Sequence, residues 1–209
     1  MNHKNSKGWC PTVYNPMRTG DGFLIRLQPR FSRLSRDQAL GVCKLSNEYG
    51  SGTIEITRRA NLQLRGTKIS QHKRLLDELL ELNLLEASEE IESRPNLIIA
   101  PDWEIGGVEA EIYKAFYKRQ KEFPVLPPKF GFSVDTKIPN RLKNVPSDIR
   151  LETDGKGALL VAADGSECGI PVTKDDAICR MIELAEWFSN SGGNARKRMR
   201  YHLQQNSLP

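Results

Sequence analysis

Residues 56–66, Ile-Thr-Arg-Arg-Ala-Asn-Leu-Gln-Leu-Arg-Gly, alternate like a strand although three arginines and two amides crowd into them. Leu62 and Leu64 fall on one face, and Asn61, Gln63 and Arg65 on the other. Arg59 shares that parity if the strand reaches back so far. Such a strand rests its apolar face on a core and displays a cationic, hydrogen-bonding face. Spacing alone leaves open whether that second face is a binding surface or a solvated one.

The surrounding pattern predicts a β-α-β-β-α order. Gly22–Leu27 reads as a strand. Ser35-Arg36-Asp37-Gln38 has the form of a capping box and opens a helix to about Tyr49, which Gly50-Ser51-Gly52 breaks. Thr53–Thr57 is a β-branched strand, 58–60 a connection, and Asn61–Arg65 the arginine-bearing strand. Ile69–Leu82 is helical, with Leu75, Leu76, Leu79, Leu80 and Leu82 at helical spacing. This order suggests a ferredoxin-like half-domain. The acidic stretch Glu86–Glu92 then marks a boundary.

A second lobe follows. Leu97–Ala100 is a short strand, and Glu109–Glu122 a helix stopped by Pro124, Pro127 and Pro128. Phe130, Phe132 and Val134 alternate with Lys129, Gly131 and Ser133, so Lys129 is expected opposite the apolar face. Asp148–Thr153 and Ala158–Ala162 read as strands paired around Asp154-Gly155-Lys156-Gly157. Thr173 caps a last helix through Trp187, and Ser191-Gly192-Gly193-Asn194 ends it. The expected division is a leader over 1–20, a ferredoxin-like half-domain over 21–88, and a second α+β lobe with a basic tail over 89–209. No internal repeat is visible.

Composition narrows the function classes. Of 209 residues, 38% are hydrophobic and 7% aromatic, enough for a modest core. No apolar run reaches the ~18–20 residues of a membrane span. Met1–Lys7 has no apolar stretch behind it, so no secretory signal is expected and a cytoplasmic protein is. The net charge of +5 is mild. The arginines gather at 26, 30, 33 and 36, at 58, 59 and 65, and at 196, 198 and 200 beside Lys197, which suits carboxylate ligands. A nucleic-acid binder would need an aromatic platform that this chain lacks. Neither nucleic acid nor membrane is therefore expected as a partner.

Cys10, Cys43, Cys168 and Cys179 are 33, 125 and 11 residues apart and form no zinc pattern or C-x-x-C pair. Cys43 is expected in the core of its helix. His3, His72 and His202 are scattered through the leader, a polar helix face and the tail, which predicts no metal triad. Gly20-Asp21-Gly22 lacks the Gly-Lys-Ser/Thr of a phosphate loop and reads as a turn. No Ser/His/Asp constellation stands out, and no catalytic residue is assigned.

The arginine-bearing segment resembles the signature strand of the nitrite and sulfite reductase family, and most closely its precorrin-3B synthase branch. Thr57, Arg59, Gln63 and Gly66 fit the family pattern, while Asn61 and Arg65 are choices typical of the precorrin branch. Cys10-Pro11 followed by Pro16-Met17-Arg18-Thr19-Gly20-Asp21-Gly22-Phe23-Leu24-Ile25-Arg26-Leu27 looks like the opening of precorrin-3B synthases. Leu126-Pro127-Pro128-Lys129-Phe130 is similar to the Leu-Pro-x-Lys-Phe strand of the whole family. The matches lie in the expected order and span residue 8 to about 201. Two departures argue against an anion reductase. Pro95 stands where the reductases have an arginine, within Arg94-Pro95-Asn96, and Gly131 stands where they have a second lysine. Gly131 is open to two readings, a strand bulge or close approach to a flat macrocycle.

The resemblance implies oxygen-dependent hydroxylation and ring contraction of a precorrin in aerobic cobalamin synthesis. It implies that Arg59, Asn61, Gln63, Arg65 and Lys129 hold the carboxylates of a tetrapyrrole. It also implies a [4Fe–4S] cluster, which this chain is not expected to hold because the family's two close cysteine pairs are missing. A missing C-terminal half would supply it, so a second half-chain or a homodimer is the expected partner. Two alternatives stay open: half of a sirohaem-type nitrite or sulfite reductase, and a non-catalytic tetrapyrrole-binding remnant.

Overall fold

The computed structural model describes residues 11–85, 88–92 and 95–209, with the backbone alone at 91 and 92. Cys10 and Arg94 of the sequence motifs lie outside the described residues. The chain divides into two units, residues 1–30 with 34–93, and residues 31–33 with 94–209.

The first unit carries a four-stranded antiparallel sheet. Strands β1 (Met17–Thr19) and β2 (Gly22–Leu27) form a hairpin; helix α1 (Arg36–Tyr49) follows; β3 (Ile54–Ile56) and β4 (Leu62–Thr67) form a second hairpin; helix α2 (His72–Glu81) comes next. The sheet order is β1-β2-β4-β3. The expected β-α-β-β-α order stands, with β1 added at the edge. A three-residue strand carries too little alternation to be read in advance. Helix α1 begins as the capping box predicts: Gln38 N–H donates to Ser35 Oγ at 3.1 Å, and Ser35 N–H donates to Gln38 Oε1 at 3.0 Å. Ile25, Leu27, Leu62 and Leu64 pack with Val42 and Leu45 of α1 and Leu75 and Leu79 of α2. Both helices therefore cover one sheet face. Cys43 is exposed, not core. It lies one residue, about 100° of helix, past Val42, which turns it off the stripe of Val42, Leu45 and Tyr49.

A short helix α3 (Glu89–Glu92) ends the first unit. The second unit holds β5 (Leu97–Ile99), α4 (Val108–Lys118), β6 (Phe132–Asp135), the hairpin β7 (Ile149–Thr153) and β8 (Leu159–Ala163), β9 (Gly169–Pro171), and α5 (Ala177–Asn190). Two short helices, α6 (Gly193–Arg196) and α7 (Met199–His202), close the tail. The sheet order is β5-β6-β7-β8-β9. The β5-β6 and β6-β7 pairs are parallel, and the rest are antiparallel. Phe132, Val134, Ile149, Leu151 and Val161 pack against Ile112 and Phe116 of α4 and Met181, Ala185 and Phe188 of α5. The hairpin turn forms as expected, with Asp154 Oδ1 accepting the Lys156 and Ala158 N–H groups at 2.8 Å each. Helix α5 starts later than the Thr173 cap suggests. The Thr173 hydroxyl and carbonyl instead hold a lead-in turn, accepting Asp176 N–H at 3.2 Å and Ala177 N–H at 3.1 Å. Among the described residues no helix is long and apolar enough to cross a membrane.

Candidate functional site

The second face of the first sheet is polar, and strand register builds it. Arg26 of β2 stands opposite Gln63 of β4, and Gln63 stands opposite Glu55 of β3. One side chain from each of three strands thus falls in a line across the face away from the helices. The Gln63 amide satisfies both neighbours in one orientation: its nitrogen donates to Glu55 Oε2 at 3.0 Å and its oxygen accepts from Arg26 Nη2 at 3.0 Å. Arg26 Nε is buried with no partner among the described residues.

Arg65 lies two residues along β4 on the same face. Its Nε donates to Asp21 Oδ2 at 3.0 Å and its Nη2 to Asp21 Oδ1 at 3.2 Å. Its Nη1 reaches Glu55 Oε1 at 3.3 Å. The Arg65 guanidinium, and secondarily the Thr19 hydroxyl at 2.7 Å, hold the Asp21 carboxyl at about 2, below its ordinary value. Asp21 and Gly20 form the turn between β1 and β2, where Thr19 pairs with Gly22. Glycine is required on both sides of this cluster. Gly22 has φ +132° and Gly66 φ +68°, and a Cβ on Gly22 would lie 3.0 Å from the Gly66 Cα.

Of the five residues expected to face a tetrapyrrole, Gln63 and Arg65 sit together on this face. Arg59 and Asn61 do not lie on the strand. β4 begins at Leu62, and 58–60 is a turn in which Ala60 takes φ 53°. Thr57 ends the strand pairing: its Oγ1 accepts the Arg59 and Asn61 N–H groups at 3.3 and 3.2 Å, and its N–H donates to the Asn61 carbonyl at 2.9 Å. Asn61 is buried at that closure. Lys129 belongs to the second unit. It is an exposed residue of the turn closed by Phe130 N–H to Pro127 O at 2.8 Å, ahead of β6 and not upon it. Pro127 and Pro128 cannot extend the strand backward, which is why the alternation ends there. Gly131 is buried beside β7, its N–H donating to Asp148 Oδ2 at 2.9 Å and its carbonyl accepting Asp148 N–H at 2.7 Å. Arg26 and Glu55 were missed. The alternation Ile25-Arg26-Leu27 marks Arg26 as outward-facing, but only the strand register places it beside Gln63.

Two constellations elsewhere prove structural. His202 is buried, and its Nε2 lies 2.7 Å from Ser191 Oγ. Ser191 Oγ also lies 2.6 Å from the Trp187 carbonyl, which can only accept. The hydroxyl proton therefore points to Trp187, and His202 Nε2–H donates to Ser191, so the imidazole is no base for that serine. The basic tail is likewise committed: Arg198 pairs with Asp148, Arg200 with Asp164, and Arg196 with Gln205.

The described cysteines, Cys43, Cys168 and Cys179, present no cradle for a cluster. Cys43 and Cys168 are exposed, and Cys179 Sγ accepts from Arg119 Nη1 at 2.9 Å. Among the described residues no group of three or more His, Cys, Asp or Glu side chains is placed to hold a metal ion. The donor set of the described residues does not fit a [4Fe–4S] cluster, which takes four thiolates.

Residues 15–82, the polar face included, match the model of the nitrite/sulfite reductase ferredoxin-like half domain. The chain is 34% identical over 150 residues to a precorrin-3B synthase of Sinorhizobium sp., covering 70% of this chain and 32% of that protein. In fold it is similar to the NirA protein of Mycobacterium tuberculosis, with a TM-score of 0.64 and 15% identity, covering 87% of this chain and 37% of that one. The chain thus spans about a third of the length of these two relatives. With the ferredoxin-like sheet and its motif strand in place, residues 15–82 belong to the nitrite/sulfite reductase ferredoxin-like half-domain family, and the chain that carries them is precorrin-3B synthase-like.

Proposed function

We propose that this chain is the tetrapyrrole-binding part of a precorrin-3B synthase-like oxidoreductase of aerobic cobalamin synthesis. Arg26, Gln63 and Arg65 form the wall that meets the ligand's carboxylates. The observation that carries the reading is the aligned row of Arg26, Gln63 and Glu55 with Arg65 beside it, on a sheet face that the unit's own helices leave uncovered. Guanidinium groups pair with carboxylates through two parallel hydrogen bonds and stay charged at any working pH. Two of them, Arg26 and Arg65, on one sheet face suit a molecule ringed by carboxylates. Arg59 is a secondary contact in this reading, carried by a turn and not by the sheet. The iron–sulfur cluster is held by residues of another segment or chain, and a second half-chain or a second copy of this one completes the site.

Fluorescence titration with uroporphyrin, a polycarboxylated porphyrin, tests the binding role. Arg26→Ala and Arg65→Ala are each expected to weaken binding about tenfold, the scale of one charge-assisted pair. Unchanged affinity in both variants contradicts the reading. Light scattering with and without the candidate partner chain tests the association. A monomer under both conditions contradicts that part.

A further inference from the structure

We propose that Asp21 occupies, in the free chain, the position on Arg65 that a ligand carboxylate takes, so that ligands bind by carboxylate exchange and Asp21 selects those with several carboxylates. The inference rests on the reading of this face as a carboxylate-binding wall.

Asp21 meets Arg65 side-on, at 3.0 Å to Nε and 3.2 Å to Nη2. This is the two-bond geometry by which arginine receives a free carboxylate. The remaining Nη1 is turned to Glu55. Each of the three guanidinium nitrogens therefore already donates to an acid of the same chain. Arg26 and Arg65 stand against Asp21 and Glu55, two charges of each sign, so the closed face is electrically balanced. A ligand carboxylate gains Arg65 as a partner only where Asp21 withdraws.

The pair is built to yield. The side chains of Arg65 and Asp21 are 28% and 40% exposed, and an ion pair so open to water contributes little. Asp21 stands on a hairpin turn beside Gly20, around whose Cβ position no heavy atom lies within 4 Å. The carboxyl is ionised near neutrality, as an ordinary aspartate already is, and Arg65 and Thr19 lower its proton affinity further. Exchange is thus driven by competition and not by protonation. A monocarboxylate swaps one anion for another with no advantage. A molecule bearing several carboxylates brings further contacts to Arg26 and Gln63 and displaces Asp21.

Uroporphyrin titration of the full chain and of Asp21→Asn, Arg65→Ala and the double variant provides the test. Asp21→Asn removes the competing charge and is expected to bind about three- to fivefold tighter. That gain should vanish when Arg65→Ala is added. Asp21→Ser, which shortens the side chain, should give the same gain. Weaker or equal binding by both Asp21 variants, while Arg65→Ala still loses affinity, overturns the exchange and makes Asp21 a positioning residue. Arg65→Ala binding as tightly as wild type overturns the carboxylate wall itself.

Discussion

The Asp148 carboxylate, fully buried, accepts Arg198 Nε at 2.9 Å and, on the same oxygen, the Met199 N–H at 2.9 Å. Its other oxygen takes the Gly131 N–H. One side chain thereby ties the start of β6, the start of β7 and the tail together within the second unit. Replacing it would strand a partly buried guanidinium and two buried amides. Asp148→Ala is expected to lower stability by about 3–5 kcal/mol in urea denaturation. A loss within experimental error would mean that the tail is not anchored there.

The approach of Gly22 to Gly66 makes a second test. Gly66 sits at φ +68°, and a Cβ there would lie 2.8 Å from the Ser51 Cβ. Gly66→Ala therefore faces both backbone strain and a steric clash. A loss of about 1–3 kcal/mol is expected, together with weaker porphyrin binding because Arg65 is the adjacent residue. Wild-type stability in this variant would contradict the geometry.

His202 gives a pH dependence of defined sign. Burial, and then the charge of Arg196, lowers its proton affinity below the ordinary histidine value of 6.5. The folded chain then binds fewer protons at this site than the unfolded one. The stabilisation is complete above about 6.5 and is lost as pH falls below it. Physically, a second ring proton would appear on Nδ1, which faces the Asn206 amide nitrogen at 3.3 Å. The stability gap between wild type and His202→Gln, measured by urea denaturation, should shrink from about pH 7.5 to about pH 5.5. A gap that is constant or grows toward acid would contradict a neutral imidazole in the folded chain.

Much of this architecture was legible in residue order. Alternation placed β2 and the β7–β8 hairpin, and the Ser35–Gln38 box placed the start of α1, because each signal is local. What depends on pairing was not legible. Arg26 and Glu55 join Gln63 only through the register of three strands, and the Arg65–Asp21 contact spans 44 positions. His202 looked like a tail residue because its burial under Trp187 and Phe188 is tertiary. Lys129 and Asn61 were set on strands that begin only after them, one held off by prolines and the other by the Thr57 hydroxyl.

The described residues do not fit a four-thiolate cluster, so the chain purified anaerobically should contain well under one iron atom per molecule. Iron and sulfide analysis measures this. About four of each per chain, the content of a [4Fe–4S] cluster, would contradict the assignment.

The central claim is that the polar face of the first sheet receives a carboxylated tetrapyrrole. Its most direct test is a footprint, by amide NMR, of uroporphyrin titrated into the labelled chain. The account predicts the largest shifts at Arg26, Glu55, Gln63, Arg65 and the Asp21 turn, with Val42 and Leu75 on the helix-covered side unmoved. Shifts confined to the basic tail around Arg196–Arg200, or spread evenly over the surface, would contradict it.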